Sequence, residues 1–477
     1  METPRRKSRR DPIDIVWAAV AVSIPVLVSL ISRMGTIDLA YQLRAGAQIL
    51  SGSIPRTDTY TFTAAGSRWV DQQWLAQAAL AQVYRLGGWP SLAALQAFLI
   101  GVSFWLLYIA IRSGGATPRT ASLLTLAGFL VASPGLALRP QLFAFLLFAT
   151  LLVVVGRRRT HPAWLWLAPA LAAACANVHG SFPLFPLVVG LAWLEDLRVH
   201  NPRARRTLLI AGATVVATVI GPFGPGVWPY AYNVSTNPII RHTITEWAPV
   251  TLRNATGWLT IGSGIAVAAY LVRRRPRAPW TAILTLALFF LLALSAQRAV
   301  VWWGLVAPVV VGALIGANGQ ADPDRETPVP RGGARAPAYA ILGMLLAAVV
   351  ALLPWWRGSD PSRFLRDAPF GLTRALATLP AGTRALVYQP WGSWFEFAVP
   401  NDPVFVDSRI EVPSASVWDD YRRVASGDGD SPTILDRWKV DAIAAPRDWA
   451  SLPVLEAPGS GWQVVYEDQD GVLLTRS

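Results

Sequence analysis

The ionisable side chains that interrupt the apolar pattern of this chain are few, and their types suit one kind of chemistry. Asp38 stands just beyond the first long apolar run, in MGTIDLAYQL, so its carboxylate is held next to a lipid surface. Arg139 and Arg298 each occupy a short turn between two apolar runs, GLALRPQLF and LSAQRAVVWW. A charge in a span costs free energy, up to about 3 kcal/mol at its centre, so each arginine calls for an anionic partner, of which a lipid phosphate is the obvious one. Singly, either arginine is equally explained by snorkelling to headgroups. Two of them on one face, beside a carboxylate, favour a site. There a carboxylate would take the proton of a hydroxyl nucleophile, a step that contributes typically about 10²- to 10⁴-fold, and arginines would stabilise charge developing on a phosphate.

Further candidates surround this set. Arg44 lies in an amphipathic stretch, 39–50, in which Leu39, Leu43, Gly46 and Leu50 share one helical face; the helix is expected to lie flat on the membrane with Arg44 turned to headgroups or the site. His179, in NVHGSFP, is a substrate contact or an ordinary turn residue. The stretch 221–256 is rich in proline and aromatics and carries Arg241 and Glu246, which suits a lid over a sugar or acceptor, or an interfacial aromatic belt. Asp58 and Asp71 are candidates for a second acid or for metal ligands, or are solvated turn residues. A divalent cation stays open. The single cysteine, Cys175, excludes an intramolecular disulfide.

The elements that must position these groups are membrane helices. With 53% hydrophobic and 15% charged residues and a mean hydropathy of +0.38, the apolar residues fall into long blocks, which excludes an ordinary soluble domain. The formal net charge of +13 is carried by arginines between those blocks, where membrane topology and anionic headgroups explain it and nucleic acid is not required. Spans are expected at 13–31, 90–111, 119–138, 141–156, 163–178, 181–197, 207–221, 257–272, 280–296, 299–317 and 337–356. That is about eleven, several short enough for one hairpin to be re-entrant. Residues 74–86 are too short to cross and are expected along the surface.

Basic clusters at 112–119, 157–159, 203–206, 273–277 and 325–335 fall on the side of the basic N-terminal tail, which the positive-inside rule makes cytoplasmic. Asp38, Arg139, His179, Glu246 and Arg298 then share the outer face of a bacterial cytoplasmic membrane. Residues 1–356 are read as the transmembrane domain, with outside loops 34–89 and 221–256 and a flexible linker at 318–336. Beyond 357 the composition becomes that of a small extracytoplasmic α/β domain, 357–477. Its expected helices are 361–378, 391–399, 415–426 and 432–438, and its strands 384–388, 403–407 and 440–445 with a closing hairpin. This domain is an acceptor-binding module or a passive stabilising one.

The order of a first span, an aspartate, DLAYQLRAGAQIL and IPRTDTYTFTAAGSRWVDQQWL resembles the first outside loop of polytopic glycosyltransferases of the C superfamily, in a large bacterial branch. LRPQLFAFLLFA, NVHGSF, the EWAP loop and VYQPWGSWFEFAVPNDPVFVDSRIEV extend the likeness over nearly the whole chain. The resemblance implies transfer of a sugar from a polyprenyl-phosphate donor to an envelope glycan, lipid or protein acceptor, with Asp38 as base. Related sequences commonly carry a tryptophan and a histidine where this chain has Ala40 and Gln42, so a metal or a histidine-assisted step is not carried over. Two other classes stay open. A lipid-linked sugar transporter would normally place ionisable groups near mid-membrane, and a non-catalytic scaffold would not depend on Asp38.

Overall fold

A computed structural model describes residues 12–274, 278–320 and 335–477. The basic tail and residues 321–334 of the expected linker lie outside the described residues. Helix α1 (Pro12–Ile31) is followed by the two-residue strand β1 (Met34–Gly35) and by α2 (Leu39–Leu50). Helix α2 buries Leu39, Leu43 and Gly46, as its periodicity requires, while Leu50 stays exposed. A Cβ on Gly46 would stand 2.1 Å from the Gln77 carbonyl oxygen, so only glycine lets α2 lie this close on the next helix. That helix, α3 (Trp74–Ser113), is two helices joined at Gly87 and Gly88, and Gly88 takes φ +60. The break falls between the surface segment and the span that the sequence separates.

The remaining apolar helices are α4 (Pro118–Ala132), α5 (Pro140–Gly156), α6 (Leu167–Ala176), α7 (Leu184–Arg198) and α8 (Ala204–Ala217). After the two short helices α9 (Val227–Thr236) and α10 (Pro238–Thr243) come α11 (Ala255–Arg274), α12 (Trp280–Ser295), α13 (Val300–Gln320) and α14 (Arg335–Ala351). Every stretch read as a span holds a helix. Among the described residues four helices are long and apolar enough to cross a membrane by themselves, those within 12–31, 74–113, 255–274 and 297–318. The others are cut back by their turns: α6 has 10 residues, about 15 Å of helix, half of a hydrocarbon core. At one end of the bundle a buried Asp196 takes Arg158 at 3.0 Å and Thr207 at 2.8 Å, tying α5, α7 and the start of α8 together.

The C-terminal region departs from the expected helix 361–378. Pro369 breaks it, and before it β2 (Leu365–Arg366) pairs in parallel with β1, Met34 opposite Leu365. Helix α15 (Phe370–Leu376) follows. A four-stranded mixed sheet, ordered β3–β4–β6–β5, is formed by β3 (Ala385–Val387), β4 (Ala442–Ala445), β5 (Trp462–Glu467) and β6 (Val472–Arg476). Alternate residues of β4 enter different cores, Ala442 and Ala444 with Leu372 and Phe395, Ile443 with Phe405 and Trp418. Helices α16 (Gln389–Ala398), α17 (Ala415–Ala425) and α18 (Ser431–Arg437) flank it. The expected strand 403–407 is only a single bridging residue, Val404, paired to both Ala385 and Thr61. Val404 thus stitches the first loop to the sheet.

Candidate functional site

Asp38 occupies the residue before α2 and makes no capping bond there, so its carboxylate is available for other partners. Its backbone is framed from both sides by the C-terminal region: Thr36 Oγ1 donates to the Asp367 carbonyl at 3.4 Å, and Ser408 Oγ donates to the Ile37 carbonyl at 2.9 Å. Arg139 reaches Asp38 from α5. Because it precedes Pro140, it is forced into an extended conformation, φ −140 and ψ 165, which projects it from the start of the helix. Arg139 Nε lies 3.1 Å from Asp38 Oδ2, and Nη1 donates to Glu246 at 2.7 and 2.8 Å. Asp38 above all, opposed by burial and aided by Glu246, holds the guanidinium pKa above its ordinary value.

Arg298 stands beside this trio in the 297–299 turn. Its guanidinium is stacked 4.4 Å above the Trp247 ring, and Nη2 lies 3.3 Å from His179 Nε2. His179 Nδ1 lies 2.9 Å from Ser181 Oγ and accepts from the Ser181 backbone N–H at 3.2 Å, so the ring is held by the turn that follows it. Burial, with Arg298 second, lowers His179 to about 3, so the ring is neutral at physiological pH. Two backbone bonds, Gln297 N–H to the Ala248 carbonyl at 3.0 Å and Val250 N–H to that of Leu294 at 3.1 Å, fasten the Glu246–Trp247 turn onto the Arg298 turn. Arg298 takes part in no ion pair among the described residues. Among the described residues this half-buried guanidinium is held by a ring and a neutral imidazole, a setting that suits an anion.

The structure therefore brings together Asp38, Arg139, His179, Glu246 and Arg298, and separates other candidates from them. Arg44 is corrected: it donates to the Glu396 and Pro400 carbonyls at 2.9 and 3.0 Å and stacks 4.3 Å over Tyr60, fastening α2 to the C-terminal region rather than facing headgroups. Asp58 is fully buried, capping the Tyr60 and Thr61 amides at 3.2 Å and pairing with Arg409 at 2.6 Å. It belongs to a dry cluster in which Arg409 also binds Asp407, lies 3.8 Å from Glu396, and is sandwiched between Tyr60 and Trp69 at 4.6 and 4.5 Å. Asp71 accepts from Gln77 at 2.6 Å, and burial pushes its carboxyl up to about 7. The side chain of Arg241 lies outside the described residues.

Three residues the sequence reading missed line the same region. Tyr230 donates to Glu411 Oε1 at 3.1 Å, and Tyr41 accepts from Gln42 at 2.5 Å. Tyr41 lies one helical turn from Asp38, and Ser408, three residues before Glu411, binds the Ile37 carbonyl, so Tyr41 and Glu411 both belong to the neighbourhood of Asp38. Among the described residues no group of three or more His, Cys, Asp or Glu side chains is placed to hold a metal ion. Asp38 and Glu246 both turn to Arg139 instead.

The fold is similar to that of several solved proteins. ArnT from Cupriavidus metallidurans bound to undecaprenyl phosphate matches with a TM-score of 0.55 at 16% identity, over 96% of this chain and 97% of that one. The Archaeoglobus fulgidus oligosaccharyltransferase tethered with an acceptor peptide matches at 0.54 and 13% identity, over 91% of this chain and 69% of that one. The mycobacterial arabinofuranosyltransferase AftD matches at 0.55 and 17%, over 96% of this chain and 41% of that one. No protein-family model and no curated protein matches the sequence.

Proposed function

We propose that this protein is an integral-membrane glycosyltransferase that moves a sugar from a polyprenyl-phosphate donor to a hydroxyl acceptor at the outer face of a bacterial cytoplasmic membrane. The observation that carries the reading is Arg298, a cation without a carboxylate partner, standing beside the Asp38–Arg139–Glu246 cluster in an apolar bundle. In the cluster two carboxylates face two arginines, so its net charge is near zero. A lipid phosphate entering it meets Arg298 directly and competes with Glu246 for Arg139. Asp38 takes the acceptor proton as the acceptor oxygen bonds to the anomeric carbon. The bond from that carbon to the phosphate oxygen breaks, and both arginines stabilise the charge left on the phosphate. His179, neutral and hydrogen-bonded to Ser181, orients Arg298. The ArnT structure of the same fold holds undecaprenyl phosphate, which supports that lipid as the first ligand to test.

Native mass spectrometry in nanodiscs, with undecaprenyl phosphate offered against phosphatidylglycerol, tests the reading. Selective retention of the polyprenyl lipid, lost in Arg298→Ala and weakened in Arg139→Ala, is expected. Equal retention of both lipids, or retention that neither arginine affects, overturns it and moves a non-catalytic scaffold ahead.

A further inference from the structure

Opposite the arginines, the wall of the candidate site is built from hydroxyls and acceptor oxygens. Tyr230, from the 221–256 loop, and Glu411, from the C-terminal region, are joined by their 3.1 Å hydrogen bond. Both are only half-buried, as are Tyr41 and Asp38, so each presents a face to solvent. Ser408, three residues before Glu411, donates to the Ile37 carbonyl beside Asp38 at 2.9 Å, so the first loop, the second loop and the C-terminal region meet at this pair. In the first loop and α2 the oxygens Asp71 Oδ2 and Gln42 Oε1, on residues 2% and 1% exposed, have no hydrogen-bond partner among the described residues. Glu411 and Tyr230 set a carboxyl and a phenol side by side at a half-buried position, the pairing that binds sugar hydroxyls.

We infer that Glu411 and Tyr230 form a sugar-hydroxyl subsite that determines glycan specificity, with Tyr41 as its second aromatic face. The inference rests on the proposed transfer reaction, because that reading puts phosphate at the other end of the space. The two ends are electrostatically unlike. Arg298 attracts a phosphate, whereas Glu411 and Tyr230 offer oxygens that hydrogen-bond hydroxyls. A polyprenyl-phosphate sugar is thereby oriented phosphate toward Arg298, ring toward Glu411. The hydroxyls could equally come from the acceptor glycan, whose chemistry is the same, and the measurement distinguishes the two.

Glu411→Gln and Tyr230→Phe keep shape and remove one charge or one hydroxyl, so folding is checked by an unchanged thermal transition. Retention of undecaprenyl phosphate bearing a hexose or a pentose is compared with that of bare undecaprenyl phosphate. In parallel, saturation-transfer NMR is recorded with methyl hexosides on protein loaded with the bare lipid. A tighter grip on one sugar-bearing lipid that falls about ten-fold in both variants, with bare-lipid binding intact, assigns the subsite to the donor ring. Loss of the methyl-hexoside signal alone assigns it to the acceptor. If both signals survive in both variants, the subsite is refuted while the transfer reaction stands. If the wild type holds no undecaprenyl phosphate, the transfer reading fails, and the hexoside arm still decides whether Glu411 binds hydroxyls.

Discussion

Two arginines of this protein each gather carboxylates, and they do opposite work. Arg139 joins Asp38 and Glu246 with its side chain 26% exposed and its partners at 29% and 43%. Arg409 joins Asp58, Asp407 and Glu396 with every member at 1% or less. In the wet cluster the ions are partly hydrated, exchange of partners is cheap, and a ligand can enter. In the dry one each charge depends on the others. Burial and Asp407 push the Glu396 carboxyl well above its ordinary range, so it stays protonated, while Arg409, its largest favourable influence, keeps Asp407 ionised. The same residue types thus make a site where water reaches them and a fastening where it does not.

The comparison breaks most visibly at Arg409. Arg409→Ala leaves Asp58 and Asp407 buried without their cation, and should cost about 3–5 kcal/mol, read as a collapse of the thermal transition or of folded yield. Arg139→Ala should change stability by less than about 1 kcal/mol while weakening lipid-phosphate retention. A comparable loss of stability in both would erase the distinction drawn here. Next in size, Asp38→Asn should lower transfer by about 10²- to 10⁴-fold with the thermal transition unmoved, in an assay with whichever sugar lipid the wild type retains.

A pH series sharpens the comparison further. The Asp71 carboxyl is raised from 3.8 to about 7 on folding, so between those values the folded chain binds the extra proton. Stability should therefore fall as pH rises through that window, by at most about 1.4 kcal/mol per pH unit, and level off above it. Asp71→Asn should flatten this slope in thermal unfolding between pH 4 and 8; an unchanged slope would assign it to another group. The smallest effect is expected at Ser408→Ala, which removes the bond to the Ile37 carbonyl for about 0.5–1.5 kcal/mol. Its signature is a lower kcat at unchanged donor binding, because it positions Asp38 rather than touching substrate.

What the sequence made legible was local. The periodicity of 39–50 defined α2, and charges set in turns between apolar runs singled out Asp38, Arg139, Glu246 and Arg298, because lipid makes an isolated charge conspicuous. The identity of distant partners was not legible. Asp58 looked like a solvated turn residue because Arg409 lies 351 positions away, and Arg44 looked lipid-facing because the carbonyl of Glu396 lies 352 positions on. Glu411 and Tyr230 carried a weak signal, an acid in DSRIEV and a tyrosine in WPYAY, but only folding makes them neighbours. The helix read at 361–378 failed for the same reason: β2 exists only because β1 is there to pair with it.

The strip around Asp38 is held at Met34–Gly35 by β2 and at Ile37 by Ser408, which follows it by 371 residues. A ribosome delivers the aspartate hundreds of residues before the clamp that fixes its backbone. Until then the loop is tethered at the membrane with one wall of its frame missing. A nascent or truncated chain that stops short of β2 and Ser408 therefore carries the aspartate without the frame that holds its backbone.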